Sequence, residues 1–68
     1  MHNFPRILRE LREERGLNQT QLANALGYAH GTVITSWETG RRTPNLDNLI
    51  AMARFFNVSL DDLVGFER

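Results

Sequence analysis

Two residue types are missing from this chain: it contains no cysteine and no lysine. Without cysteine, neither disulfide bonds nor a thiolate metal site can stabilise the fold. No apolar run approaches the roughly 18 residues that a membrane-spanning helix requires, and the first residues lack the apolar centre of a signal peptide. We therefore expect a soluble cytoplasmic protein that depends on helix packing for its stability and uses no metal or other cofactor.

The charges balance overall but are divided unequally along the chain. Eight arginines oppose eight acidic residues, which gives a formal net charge of zero, whereas nucleic-acid-binding domains are often basic. Up to Pro44 there are six arginines and four acids, and from Asn45 onward there are two arginines and four acids. This division suits a module with a basic face and an opposite acidic face, and it suits an ordinary mixed surface equally well.

Apolar residues recur at helical spacing along the chain, and turn residues separate the periodic segments. Five short helices and no strands are expected, at about 4–15, 18–26, 30–39, 45–56 and 59–64, the third beginning anywhere from 30 to 32. Capping-box spacing occurs twice, at Asn18 with Gln21 and at Ser59 with Asp62. The sequence therefore predicts one compact all-α domain over 1–68.

The second and third helices, at about 18–39, have the spacing of a helix-turn-helix. Ala23 is small enough for two helices to cross closely, and Gly27 lies where the chain reverses and a positive φ is needed. In such a unit one helix braces on the nucleic-acid backbone and the other presents side chains to base edges. The residues expected to hold the pair against the rest of the domain are Leu22, Leu26, Ile34 and Trp37.

Two segments, GLNQTQLANALG and ITSWETGRRTPNLDNLIAMARFFNVSLDDLVG, resemble the Cro/CI-type (XRE-type) helix-turn-helix repressor family. The resemblance extends over about 6–65, nearly the entire chain. It implies a lambda-repressor-like five-helix domain whose third helix enters the major groove. It also implies a small transcriptional regulator, a repressor of bacteria or their phages, that binds a palindromic double-stranded DNA operator as a homodimer.

Four residues match positions that have defined roles in that family. Gln19 matches the glutamine that begins helix 2, touches the DNA backbone and supports the recognition helix. Trp37 and Glu38 match the aromatic–glutamate pair at the end of helix 3, and Arg12 matches the arginine that pairs with the glutamate. The resemblance therefore implies a structural ion pair between Arg12 and Glu38, which would fix the tilt of the recognition helix.

The chain has one more residue between Gly27 and Trp37 than the family pattern usually has. If the additional residue lies in the turn before helix 3, Ile34 faces the core. If the turn has its normal length, Val33 faces the core instead and helix 3 is distorted. We favour the first arrangement, because residues three apart in a helix share a face, as Ile34 and Trp37 then do.

Under that arrangement, one face of helix 3 and the loop after it make up the expected DNA-binding surface. Its hydroxyls can contact base edges or phosphates, Val33 can contact a thymine methyl, and the arginine pair is expected at phosphates. Helix 3 contains no Arg, Gln or Asn that could form bidentate base contacts. We therefore expect selectivity to depend more on DNA shape and phosphate contacts. Thr32 serves equally well as a plain N-cap, and His30 as an exposed turn residue. The expected DNA-binding residues are Gln19, His30, Gly31, Thr32, Val33, Thr35, Ser36, Arg41 and Arg42.

A candidate dimer patch lies near the end of the chain. Its apolar members are Phe56, Leu60, Val64 and Phe66, although Phe66 would equally well fold back onto its own domain. A single domain reaches only one half-site, so a dimer would read two half-sites about one helical turn apart.

Other function classes compete with DNA binding. An enzyme is disfavoured, because the chain has two histidines, no cysteine and no carboxylate pair at a spacing that suggests a shared pocket. A protein-interaction module, or the antitoxin of a toxin–antitoxin pair, uses the same type of fold, and the zero net charge leaves both open. Because DNA binding through phosphates weakens as salt rises, a salt titration separates these classes.

Overall fold

The computed structural model describes residues 3–65, which form five α-helices and contain no strand. The helices are α1 Phe4–Glu14, α2 Gln19–Ala25, α3 Thr32–Glu38, α4 Leu46–Phe56 and α5 Leu60–Val64. Each lies within the segment predicted from the apolar spacing, and the all-α fold class is confirmed. Phe66, one of the predicted dimer residues, lies outside the described residues.

Side-chain caps fix the beginnings of α2 and α5. Asn18 Oδ1 accepts a bond from the Gln21 amide at 2.7 Å, and Gln21 Oε1 accepts one from the Asn18 amide at 2.8 Å, which is the predicted capping box. Ser59 Oγ accepts a bond from the Asp62 amide at 3.0 Å, but these two described residues do not form the reciprocal bond. The second capping box is therefore only half formed, because the Asp62 side chain is one methylene shorter than that of Glu or Gln.

All five helices contribute side chains to one hydrophobic core. Ala23 is fully buried, in agreement with its predicted place where α2 and α3 cross, and Trp37 packs edge-on against Tyr28 with ring centroids 6.0 Å apart. Helices as short as α3 are marginal by themselves, so this packing, rather than helix propensity, holds them in place. The buried core residues are Phe4, Leu8, Leu22, Ala23, Ile34, Trp37, Met52, Ala53, Phe56 and Leu63.

The structure places the additional residue in the turn before α3. Ile34 and Trp37 are both buried, Val33 is half-buried, and α3 is a regular α-helix throughout. Gly27 has the expected positive φ, +93°, where the chain leaves α2. The favoured arrangement is therefore confirmed, and it decides which side chains of α3 face outward.

Phe56 belongs to the core and is not available to a surface patch. Its side chain is only 4% exposed, and its ring packs edge-on against Phe55 with centroids 5.0 Å apart. Arg15 Nη2 donates to the Phe56 carbonyl oxygen at 3.1 Å, and the Arg15 guanidinium carbon lies 5.7 Å from the Phe56 ring centroid. The prediction that Phe56 contributes to a dimer patch is wrong, because its position four residues after the buried Met52 turns it inward.

Candidate nucleic-acid interface

The side of α3 opposite the core is polar and open to solvent. With Ile34 and Trp37 inside, the helical repeat of 3.6 residues turns Thr32 and Thr39 directly outward, places Thr35 and Ser36 on either side of them, and leaves Val33 at the edge beyond Ser36. Thr32, Thr35 and Thr39 are exposed, and Ser36 and Val33 are half-buried. We call this surface the α3 outer face, consisting of Thr32, Val33, Thr35, Ser36 and Thr39.

The loop after α3 continues the outer face. The Arg42 amide donates to the Ser36 carbonyl at 3.2 Å, and the Gly40 amide donates to the Trp37 carbonyl at 3.3 Å, so the loop folds back beside the helix. Two adjoining hollows result, and Arg41 lines both of them while Arg42 lines one. The structure thus brings together six of the residues predicted from the sequence, namely Thr32, Val33, Thr35, Ser36, Arg41 and Arg42.

Arg41 and Arg42 are exposed cations that have no acidic partner among residues 3–65. An exposed guanidinium without a carboxylate neighbour keeps all its donors and its full charge for an external anion. The surface beside α3 therefore carries two uncompensated positive charges, which suits contact with phosphate groups.

Beneath the outer face, the side chains of Arg12, Glu38, Gln19 and Thr35 form a continuous chain of hydrogen bonds. Arg12 donates from Nε to Glu38 Oε2 at 2.7 Å and from Nη2 to Glu38 Oε1 at 3.1 Å. Gln19 Nε2 donates to Glu38 Oε1 at 3.2 Å, and Thr35 Oγ1 donates to Gln19 Oε1 at 2.7 Å. The structure thus contains the ion pair that the resemblance implied, which joins α1 to α3, and Gln19 of α2 links that pair to Thr35 on α3.

The Arg12–Glu38 pair is well shielded from water. The two side chains are 12% and 5% exposed, and Arg12 Nη1 also donates to the Leu17 carbonyl oxygen at 2.8 Å. The hydrogen bonds to Glu38 raise the pKa of the Arg12 guanidinium, although burial acts in the opposite direction. Because removal of one partner leaves the other as a buried charge, the pair resists any change in the angle between α1 and the end of α3.

The Gln19 side chain forms two hydrogen bonds within the protein and lies next to the α3 outer face. Its side-chain oxygen accepts the Thr35 proton, and one N–H of its amide donates to Glu38. A glutamine amide nitrogen carries two protons, so one N–H is left for a phosphate oxygen. Contact between Gln19 and the DNA backbone stays a prediction, limited to that single donor.

The two turn residues predicted to face DNA have different surroundings. His30 is exposed, whereas Gly31 is half-buried against the start of α2. A Cβ at Gly31 would lie 2.9 Å from Thr20 Oγ1 and 3.0 Å from the Thr20 backbone nitrogen. Glycine at this position therefore permits the close packing of α2 against α3, and DNA contact by either turn residue stays a prediction.

Thr39 is an outer-face residue that is missing from the set predicted from the sequence. It follows Thr35 by four residues and Thr32 by seven, and it lines one of the two hollows. The helical periodicity that identified Thr32 and Thr35 was the signal that could have found it. The sequence pattern indicates Thr39 only as the last residue of the predicted third helix.

The apolar surface near α5 differs from the predicted dimer patch. Leu60 is 39% exposed and Val64 is half-buried, while Phe56 is in the core. Leu60 borders a hollow between α4 and α5 that we call the α4–α5 groove, lined by Ile50, Ala53, Arg54, Asn57, Val58 and Leu60. An exposed apolar surface is therefore present, but it is centred on Leu60 and α4.

The part of the chain that the structure describes contains no candidate metal centre or membrane segment. No group of three or more His, Asp or Glu side chains between residues 3 and 65 is placed to hold a metal ion. None of the helices within that range has the length and apolar character needed to cross a membrane.

Proteins similar to this chain are named as transcriptional regulators. The HTH-type transcriptional activator BcrR of Enterococcus faecalis is 39% identical over 64 residues, which are 94% of this chain and 31% of BcrR. The cryptic phage CTXphi transcriptional repressor RstR of Vibrio cholerae is 36% identical over 62 residues, which are 91% of this chain and 55% of RstR. This chain therefore spans about a third of the first relative and just over half of the second.

A further relative and a solved structure match along most of the chain. An uncharacterized HTH-type transcriptional regulator of Archaeoglobus fulgidus is 33% identical over 60 residues, which are 88% of this chain and 84% of that protein. The crystal structure of a transcriptional regulator from Listeria innocua matches with a TM-score of 0.87 and 31% identity, over 96% of this chain and 60% of that chain. The family model described as helix-turn-helix matches residues 8–63, which include all of α2, α3 and α4. Sequence, fold and family match agree: this chain belongs to the helix-turn-helix family, in its Cro/CI (XRE) branch.

Proposed function

We propose that this chain is a small transcriptional regulator that places α3 in the major groove of double-stranded DNA. The observation that carries the proposal is the pair of exposed arginines, Arg41 and Arg42, beside a helix face of small polar side chains, with no acidic partner in the part of the chain that the structure describes. In this arrangement the arginines contact phosphates, while Thr32 and Ser36 on that face reach base edges. The names of the relatives as transcriptional regulators support it.

The hydrogen-bond chain beneath α3 also supports the proposal. A recognition helix must keep its angle to the rest of the domain, because small errors of orientation separate side chains from base edges. Arg12, Glu38 and Gln19 hold α3 to α1 and α2 through bonds of 2.7 to 3.2 Å. The free domain thus has its recognition surface ordered in advance, which lowers the entropic cost of binding.

We further propose that the protein acts in the cytoplasm as a homodimer on a palindromic operator. One α3 reads one half-site, and a symmetric dimer reads two half-sites separated by about 34–36 Å. The second copy covers Leu60 and the α4–α5 groove, where apolar surface is exposed to solvent. Repression, in which the bound dimer blocks transcription, is proposed on the similarity to RstR, which is named a repressor.

A salt titration tests the proposed DNA binding. The affinity for a mixed-sequence duplex is measured by fluorescence anisotropy from low salt to physiological salt. We expect the logarithm of the association constant to fall with a slope of about −0.9 per neutralised phosphate. If no duplex binds detectably, or if the affinity does not change with salt concentration, the proposal is contradicted and a module that binds only proteins is favoured.

Two leucine substitutions test the proposed dimer. Leu60 and Leu46 are both exposed leucines at the first position of a helix, but only Leu60 borders the α4–α5 groove. Leu60→Asp is expected to shift the sedimenting species to the monomer and to weaken operator binding about tenfold, whereas Leu46→Asp leaves both unchanged. Equal behaviour of the two variants would show that the groove is not the interface.

A further inference from the structure

Three hydroxyl groups of the α3 outer face donate their protons within the protein. Ser36 Oγ donates to the Thr32 carbonyl at 2.9 Å, and Thr39 Oγ1 donates to the Thr35 carbonyl at 2.8 Å. Thr35 Oγ1 donates to Gln19 Oε1 at 2.7 Å. A hydroxyl has one proton and two lone pairs, so these three groups present only acceptors to an incoming ligand.

Acceptors on the helix need donors on the base edge. In the major groove the donors are the amino groups of adenine and cytosine, whereas guanine presents only its O6 and N7 acceptors. Thr32 is the exception on this face, since its hydroxyl forms no hydrogen bond with any described residue and keeps a proton to donate. Apart from Thr32, the hydroxyls of α3 therefore match amino groups and do not match guanine.

Val33 adds an apolar surface beside these acceptors. It packs partly against the core, yet it also lines the hollow shared with Thr32, Ser36 and Arg42. The major-groove edge has one apolar substituent, the C5-methyl group of thymine. A thymine methyl against Val33 removes the exposed part of this side chain from water, which is favourable in proportion to the area covered.

We infer that this domain selects thymine. Val33 contacts the C5-methyl of a thymine in each half-site, and the oxygens of Thr35 and Ser36 accept bonds from neighbouring adenine or cytosine amino groups. Arg41 and Arg42, which lie outside the helix, are left for the phosphates. The inference rests on the proposed function and names the specificity determinants of the same surface.

Base analogues test the inference directly. The probe is the tightest duplex recovered from a random-sequence pool, with each thymine replaced singly by deoxyuridine and each guanine by 7-deazaguanine. Deoxyuridine lacks only the methyl group, and 7-deazaguanine lacks only the N7 acceptor. We expect one thymine per half-site whose replacement weakens binding about fourfold, the effect of one buried methyl group, and no comparable loss at any guanine.

A pair of alanine variants assigns the methyl contact. Val33 and Leu11 are both half-buried and packed against the core, but Leu11 lies on α1 and lines neither the hollows beside α3 nor the α4–α5 groove. The deoxyuridine penalty should disappear in Val33→Ala and persist in Leu11→Ala. Circular dichroism checks that both variants are folded. If Val33→Ala does not fold, Val33→Thr, which keeps the shape and one methyl group, replaces it and should reduce the penalty.

The outcomes separate this inference from the proposed function. If the protein binds DNA in a salt-dependent way but no deoxyuridine replacement changes the affinity, the inference is wrong and the proposed DNA binding still stands. A penalty that Val33→Ala leaves unchanged, or an equal loss at a 7-deazaguanine, overturns it as well, because the readout then comes from other groups. If no duplex binds in a salt-dependent way, the proposed function itself fails.

Discussion

The arginines of α1 and those of the loop after α3 differ in their surroundings. On α1, Arg6 pairs with Glu10 at 3.0 Å and Arg9 with Glu13 at 3.5 Å, each across one turn of the same helix. Arg41 and Arg42 have no acidic partner within 3–65. The surface beside α3 is therefore locally positive although the formal net charge of the chain is zero. Exposed charges act mainly within a Debye length of about 8–10 Å, so distant acidic residues do not cancel this local charge.

Arg12 also lies on α1, but its surroundings differ both from those of Arg6 and Arg9 and from those of the loop arginines. Its partner, Glu38, comes from a different helix, and both side chains are shielded from water. Pairs within one exposed helix are worth little, a buried pair between helices is costly to break, and an unpaired cation affects ligands more than folding. The three situations predict effects of different kind and size.

Loss of the buried pair should have the largest effect. Arg12→Ala leaves Glu38 as a poorly compensated buried carboxylate, and we expect the free energy of unfolding to fall by about 3 kcal/mol. Urea unfolding followed by circular dichroism measures the change, with Arg9→Ala as the control on the same helix. A loss below about 1 kcal/mol, the size of a surface pair, would show that the pair does not hold α3 in place.

Removal of the two loop arginines should affect binding and leave folding unchanged. The double substitution Arg41→Ala with Arg42→Ala is expected to weaken binding to all duplexes alike, by about tenfold, and to make the salt slope shallower by about 1.8. The unfolding free energy should stay within about 0.5 kcal/mol of the parent. An unchanged affinity would remove both arginines from the interface.

If the arginines supply affinity, the outer face should supply selectivity. Ser36→Ala removes one acceptor from that face and is expected to change the preferred base at one position while lowering total affinity only about threefold. Selection from a random duplex pool with parent and variant compares the two preferences. Identical preference profiles would contradict the assignment of α3 as the reading element.

The smallest effect is expected for the exposed pairs of α1. Arg6→Ala and Arg9→Ala should each lower the unfolding free energy by about 0.3–0.5 kcal/mol, the usual value for such a pair, and leave the salt slope of DNA binding unchanged. Thermal unfolding and the same salt titration measure both quantities. A shallower slope for either variant would mean that α1 also contacts phosphates, which would remove the contrast with the loop arginines.

Much of the fold was predictable because it depends on near neighbours in the chain. The cap at Asn18 involves residues three apart, and the inward side of α3 follows from Ile34 and Trp37 sharing one helical face. The sequence also indicated which loop carries the arginines. Helix ends, helix faces and the helix-turn-helix itself were therefore determined by the sequence alone.

The tertiary structure decided what depends on contacts between distant parts of the chain. It buried Phe56, which the pattern had placed in a surface patch, and it made Gly31 a point of close contact between α2 and α3. It also set the direction of the Thr35 proton toward Gln19, sixteen positions away. Such bonds and contacts depend on how the helices pack, and residue spacing does not encode distances between helices. For that reason the sequence identified the DNA-facing helix, and only the packed structure determined what that helix can donate or accept.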